Sequence, residues 1–312
     1  MMEGVLAVTK PLAAHHYRKR EKQDALAAYM FLLPSFAIFL VFVLIPLILV
    51  IYLTFYNYNV ITPAKWNNYM NWAYILKDKR LWMTLGNSLK FVCLLVPMHM
   101  IFGLLLAFGV NAVKNKLAVY TLRTVYYFPT LLATSSVAIA WTFILNKDFG
   151  IINYFLSLIG IGAIPWLSSS FWVFPATMLF SLWKFVGGYF LYFFIGLQGV
   201  DRTFLEAAEI DGANTWQKTR HITLPLISPT IFFVFVTMLI GCVQIFDEPY
   251  MLTNGGPGDA SRTISLYIYN IAFGSHKFGL ASAQSIILLV IILLITLIQF
   301  RSSNMWVNYD RD

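Results

Sequence analysis

The chain has 312 residues, of which 59% are apolar and only 12% charged, with a mean hydropathy of +0.70. A soluble domain of this length carries about twice that charged fraction, so a water-surrounded globule is excluded and a lipid-facing bundle is implied. The net charge of +8 is dispersed in short segments between apolar runs. That pattern suits orientation in a membrane and excludes a nucleic-acid face, which needs its cations gathered on one surface.

Crossing the hydrocarbon takes about 20 apolar residues. Residues 29–54 give the first such window, with Pro34 and Pro46 inside it. The cluster Arg18, Lys19, Arg20 and Lys22 precedes it and places the N-terminus in the cytosol. The run is too long for a cleaved signal peptide, and no small-residue cleavage site precedes a polar domain. Residues 91–113 form the second span and 124–146 the third. Residues 149–164 hold Gly150, Gly160 and Gly162 and stop at Pro165. This piece is short for a span and reads as an interfacial or re-entrant helix; if it crossed, every later segment would change sides. Spans four, five and six follow at 171–200, 222–246 and 278–300, the fourth interrupted by Lys184.

With six spans, the inner segments hold most of the Lys and Arg, so both termini are expected in the cytosol. The predicted fold class is an all-α membrane protein with six transmembrane helices and a cytosolic helix–turn–helix coupling loop. It divides into a cytosolic tail over 1–28, one membrane domain over 29–300 and a cytosolic tail over 301–312. No internal repeat or low-complexity linker appears. Cys93 and Cys242 lie in apolar stretches and read as small buried hydrophobes. No metal-ligand spacing occurs, so no catalytic or metal-binding residue is assigned.

The largest polar insertion on the cytosolic side lies between spans four and five. Residues 206–229 read EAAEIDGANTWQKTRHITLPLISP. Thr203 and Glu206 have the spacing of a capping box. Gly212 stands where a helix stop needs positive φ. Asn214 offers a second N-cap, with Gln217 three residues on. Pro225 and Pro229 frame the approach to span five. By this grammar alone the segment is two short helices and a turn, which an ordinary connecting loop can also be.

The full string is more specific. Glu206-Ala207-Ala208, then Asp211-Gly212-Ala213, then Leu224-Pro225 after Ile222 resembles the EAA loop of ABC-importer permeases of the carbohydrate type. The resemblance covers nearly the whole chain. It includes Ala27 to Pro46, Asn153 to Trp166, Trp183-Lys184 with Gly196-Leu197-Gln198, Thr253 to Pro257, and Phe278-Gly279 with Ala281-Ser282-Ala283. It departs at Thr219, where that family often has an aromatic; Trp216 is close enough to fill the same socket.

The resemblance implies that this loop docks into a nucleotide-binding subunit. Ala207, Ala208 and Ala213 are small and allow close packing. Glu206 and Asp211 can make charge-assisted bonds to basic groups on the partner. Leu224 and Pro225 tie the loop to span five. The chain lacks the Gly-x-x-x-x-Gly-Lys-Ser/Thr phosphate loop, so no cofactor is expected on it; ATP and Mg belong to the partner. Swinging a two-state equilibrium from 1:99 to 99:1 takes about 5.5 kcal/mol, which the partner has to supply. The implied assembly has a second homologous permease, two ATP-binding subunits and an extracytoplasmic solute-binding protein in a bacterial cytoplasmic membrane.

For the substrate path, Lys184 is a mid-span charge, which costs roughly 2.5–3.5 kcal/mol on insertion scales. It contacts either a sugar carboxylate or helix carbonyls; the second is favoured because Trp183-Lys184 is a general feature of the resembled family. Gln244 can hydrogen-bond hydroxyls, and Trp183, Tyr189 and Phe246 can stack on sugar rings. Asp247 is a further candidate for the path, although by default it and Glu248 are solvated charges at the outer end of span five. His99 is expected to bond a neighbouring helix. The expected cargo is a di- or oligosaccharide, neutral or acidic, with glycerol phosphate as an alternative. A stand-alone secondary transporter would show central carboxylates and broken helices; Pro46 or Pro97 can kink, but no carboxylate is central. A membrane enzyme would need a clustered acid–base set, and the 14 Asp and Glu and 5 His fall mostly in loops.

Overall fold

A computed structural model describes residue 25 and residues 27–308. The basic cluster at 18–22 therefore lies outside the described residues. Among the described residues, four helices are long and apolar enough to cross a membrane: α1 (Ala27–Leu53), α3 (Lys79–Asn111), α7 (Val173–Gln198) and α13 (Phe278–Ser303). Two further spans are bent pairs, α4 (Lys116–Leu131) with α5 (Thr134–Ile144) and α9 (Thr215–Leu226) with α10 (Ser228–Val243). Shorter elements connect them. These are strands β1 (Tyr56–Asn57) and β2 (Lys65–Trp66), helix α2 (Met70–Lys77), α6 (Ile151–Leu158), α8 (Arg202–Ile210), α11 (Asp247–Thr253) and α12 (Ile264–Gly274).

The core forms where α3 crosses α7. On α3 the residues Leu81, Ser88, Phe91, Leu95, His99, Gly103 and Ala107 are buried, a stripe at helical spacing. Phe91 and Leu95 belong to one buried cluster with Phe190 and Phe193 of α7 and Met238 of α10, and Phe91 itself packs on Phe174, ring centroids 4.6 Å apart. Gly103 lets the helices close up, since a Cβ there would come 3.2 Å from the Phe193 ring. By contrast α1 is peripheral and packs on α13. Its outward face leaves Phe31 and Phe42 exposed, as a lipid-facing helix does.

Two of the three π-helical turns among the described residues have a local cause. Proline lacks an N–H, and its ring clashes with the carbonyl four residues earlier. The turn at Leu40–Leu44 contains Phe42, four before Pro46, and the turn at Thr219–Thr223 contains His221, four before Pro225. Widening the helix moves that carbonyl aside.

Several expected boundaries shift. The helix that carries span two begins at Lys79, ahead of the apolar window at 91–113, because the Asp78 carboxylate accepts from the backbone N–H groups of Arg80 and Leu81 at 3.0 and 3.3 Å and caps the helix. Span three is not continuous: it starts at Lys116 and breaks after Leu131, where α4 and α5 meet at 96°. Leu132 and Ala133 take up extended backbone there, and Pro129 withholds an N–H one turn earlier. Span five is bent by 65° at Ile227. Cys93 is exposed on the outside of α3, whereas Cys242 is buried.

Helix α6 has eight residues and is about 12 Å long, too short to cross. Asn153 ties it to the Pro165–Trp166 corner. Its amide donates to the carbonyls of Lys147 (3.0 Å) and Ile164 (2.9 Å), and its oxygen accepts from Ile164 N–H and Trp166 Nε1–H. At the other end of the chain, Val307 packs with Phe232 and Val236. The Asn308 N–H donates to Ser228 Oγ at 2.8 Å, so the segment after α13 returns to the foot of α10.

Candidate functional site: the coupling loop and the bundle cleft

The loop after α7 is a locked helix–turn–helix. The Asp201 carboxylate caps α8 by accepting from Thr203 N–H at 2.9 Å. The Thr203–Glu206 capping box is therefore not the one used; the aspartate two residues earlier takes the N-cap position. Helix α8 ends in a Schellman motif. Gly212 adopts φ +82°, its N–H donates to Glu209 O at 3.1 Å, and Ala213 N–H donates to Ala208 O at 2.9 Å. Two of the four orphan carbonyls of the helix end are thereby satisfied.

The second helix starts as its sequence implies. Asn214 and Gln217 form a reciprocal capping box, with Gln217 N–H to Asn214 Oδ1 at 2.9 Å and Asn214 N–H to Gln217 Oε1 at 2.8 Å. Lys218 reaches back to Glu209 at 3.1 Å, bracing α9 against α8. Ser228 Oγ donates to Pro225 O at 2.7 Å, which ties the loop's exit to the first turn of α10.

On this rigid turn, Glu206, Ala207, Asp211, Gly212 and Trp216 are exposed, while Ala208, Ala213, Leu224 and Pro225 are partly covered. Phe204, Ile210 and Trp216 stand 54%, 88% and 67% exposed. Phe204 and Ile210 were missed in the sequence. The signal was available, because apolar residues in so polar a loop have no membrane to face.

The second feature is a cleft of about 280 Å³ between α3, α7, α10 and α11. Of the substrate-path candidates, Tyr189, Gln244, Phe246 and Asp247 line it. Lys184 and Trp183 do not. The Lys184 ammonium donates to Leu132 O at 2.7 Å and Pro129 O at 3.3 Å, and Trp183 packs on Trp141, ring centroids 5.6 Å apart. Glu248 also departs from expectation. It is buried, because α11 folds back against α5 and α7, and it accepts from Ser181 Oγ at 3.2 Å.

A polar line thus crosses the bundle. The two ring nitrogens of His99 on α3 lie 2.9 Å from Leu95 O and 3.3 Å from Ser181 O, a neutral ring donating to one of the two carbonyls, and Ser181 in turn reaches Glu248. The His99 ring meets Tyr189 edge-on at 5.2 Å. Carboxylates, an amide and aromatic faces around one cavity can accept from hydroxyls and stack on ring carbons. Among the described residues no group of three or more His, Cys, Asp or Glu comes together as a metal donor set.

Bent spans around an internal cleft, joined on one side to an exposed and doubly capped turn, are the architecture of a transport permease. The sequence agrees: the chain belongs to the family described as binding-protein-dependent transport system inner membrane component, whose family model matches residues 99–303. It is similar to a probable ABC transporter permease of Bacillus subtilis, YesP, with 36% identity over 93% of this chain and 94% of that protein. It is also similar to the lactose transport system permease LacF of Rhizobium radiobacter, with 30% identity over 87% and 92%. A solved bacterial ABC transporter described as importing the acidic polysaccharide alginate matches with TM-score 0.80 and 26% identity, over 93% of this chain and 99% of that one. The chain is therefore a multi-pass ABC-importer permease.

Proposed function

We propose that this permease moves a di- or oligosaccharide into the cell by alternating access, driven by ATP hydrolysis on separate subunits. The observation that carries the reading is the coupling turn. Phe204, Ile210 and Trp216 present apolar surface on a doubly capped element whose far end is bonded into α10. A partner seated on it can push α10 without losing the motion in a slack loop. In this reading the partner is an ATP-binding subunit that holds ATP and Mg. Glu206 and Asp211 supply charge-assisted contacts, and Ala207 and Ala208 allow close approach. A second permease completes the path, and a solute-binding protein delivers cargo on the opposite side. Relatives named for lactose, trehalose/maltose and alginate transport support a saccharide cargo. Among the described residues, the cleft of this chain is lined by Asp247 and Glu248 and by no Lys or Arg, which favours recognition through hydroxyls over recognition of an acid group.

The orientation follows from the same reading: the coupling turn and both termini face the cytosol. The test is uptake by proteoliposomes holding the chain with its ATP-binding and permease partners. Labelled saccharide should accumulate only with internal ATP and external binding protein. Uptake by this chain alone would favour a secondary transporter and overturn the proposal. A cysteine placed at Asn214 should react with impermeant reagents only from the cytosolic side.

A further inference from the structure

A cavity of about 700 Å³ lies away from the cleft, between the β1–β2 hairpin, α2 and the start of α13. Among the described residues, Lys65, Lys77 and Lys277 line it together with His276, and no Asp or Glu does. Such a volume is within the range of pockets for small molecules, and a lining whose charged side chains are all lysines favours an anion.

The floor is preformed. Asn71 is buried, and its amide donates to Thr54 O at 2.9 Å and Tyr56 O at 3.1 Å. Gly279 approaches so closely that a Cβ would stand 1.9 Å from Tyr56 O. The end of α1 and the start of α13 are thus locked together, whether or not anything fills the space above them.

Its depth points to the ligand. Leu53 ends α1 and Phe278 begins α13, and both helices are long enough to span. The cavity therefore sits where hydrocarbon gives way to headgroups. An aromatic cluster marks the same level: Tyr56 stacks on Tyr52 at 4.4 Å, Trp66 meets Tyr56 edge-on at 5.4 Å, and Tyr58 lies 6.3 Å from Phe278. Such rings gather at the membrane–water boundary. Met70, Ala73 and Leu280 supply an apolar side to the lining, which suits glycerol carbons and the start of an acyl chain.

We propose that this cavity is a binding site for the headgroup of an anionic phospholipid. The lysine ammonium groups hold the phosphodiester as point charges, and Asn57 and Tyr74, which also line the cavity, face the headgroup hydroxyls. A water-soluble acidic saccharide has the same anion-and-hydroxyl chemistry but no reason to sit at headgroup depth.

The test uses the assembled transporter in nanodiscs and native mass spectrometry, with phosphatidylglycerol as the probe. The wild-type complex should retain phosphatidylglycerol in preference to phosphatidylcholine. Lys65→Gln/Lys77→Gln/Lys277→Gln should weaken that retention at least about tenfold, since each lysine adds to anionic-lipid attraction; the triple Lys→Arg variant should keep it. If the triple Gln variant does not assemble, Lys65→Gln/Lys277→Gln is read in the same way. Equal retention by the wild-type and Gln variants overturns the proposal. So does lysine-dependent binding of trigalacturonate with no lysine-dependent retention of lipid, which would assign the cavity to a saccharide.

Discussion

The Lys184 ammonium sits 2.7 Å from the Leu132 carbonyl, at the break where α4 turns by 96° into α5. A helix end leaves carbonyls without donors, and Pro129 and Leu132 are partly buried here. Lys184 supplies the donor that Leu132 lacks and adds a second one to Pro129, whose carbonyl also accepts from Leu132 N–H at 3.3 Å, while Thr130 Oγ donates back to the Lys184 carbonyl at 3.0 Å. The charge in span four is thus the partner of the break in span three. Lys184→Met should lower the thermal midpoint of the purified complex. The loss corresponds to roughly 1–3 kcal/mol for buried carbonyls left unpaired. Uptake per folded transporter should stay near wild type. Lost uptake at an unchanged midpoint would instead make Lys184 a substrate contact.

The same seam contains two adjacent glycines with opposite tolerances. A Cβ at Gly187 would come 1.8 Å from the Tyr126 carbonyl, whereas one at Gly188 would meet only the Thr130 side chain, its methyl at 3.7 Å. Gly187→Ala must push α4 off α7, a cost at or above the upper end of roughly 1–3 kcal/mol. Gly188→Ala should remain within about 0.5 kcal/mol of wild type. Melting curves of the two variants side by side provide the check, and equal midpoints would mean that the helices do not approach this closely.

At the coupling turn the constraint is torsional instead. A Cβ added at Gly212 would meet none of the described residues within 4 Å, yet the φ there is +82°. A residue with a Cβ pays about 1–2 kcal/mol in this region, less for Asn, which tolerates it better. Gly212→Ala should leave membrane insertion intact and reduce saccharide uptake per ATP hydrolysed, with Gly212→Asn intermediate. Normal uptake by Gly212→Ala would remove the coupling role assigned to the turn.

How far the sequence could be read follows from how local each feature is. The Gly212 stop and the Asn214–Gln217 box depend on residues within a few positions of one another, and both form. The α4–α5 break is not local. Residues 124–146 are uncharged throughout, and what holds the break open is a lysine more than fifty positions away. Glu248 was hidden for the same reason: next to Asp247 it looks like a solvated pair, and only the return of α11 onto α5 and α7 separates their surroundings. Asp201 shows a subtler limit, because two capping signals two residues apart compete, and the aspartate takes the N-cap position.

The loop between α11 and α12 gives a pH-dependent prediction. Asp259 bonds Arg80 Nε at 2.7 Å and also pairs with Arg262. The Asn87 amide holds the same loop through the carbonyls of Asp259 and Arg262, each at 3.0 Å. The hydrogen bond from Arg80 is the main reason the Asp259 carboxyl is held below the usual carboxylate range, with Arg262 adding to it. A depressed carboxyl stabilises the fold above its unfolded value, about 3.9, and loses that contribution as pH falls through the lower folded value. Arg80 is half exposed, so solvent screening limits the pair to about 1 kcal/mol or less. Asp259→Asn should therefore melt slightly below wild type at pH 7. The gap should shrink with added salt and close once pH drops below the carboxylate range. A gap that persists unchanged at low pH would show that Asp259 acts through packing and not through its charge.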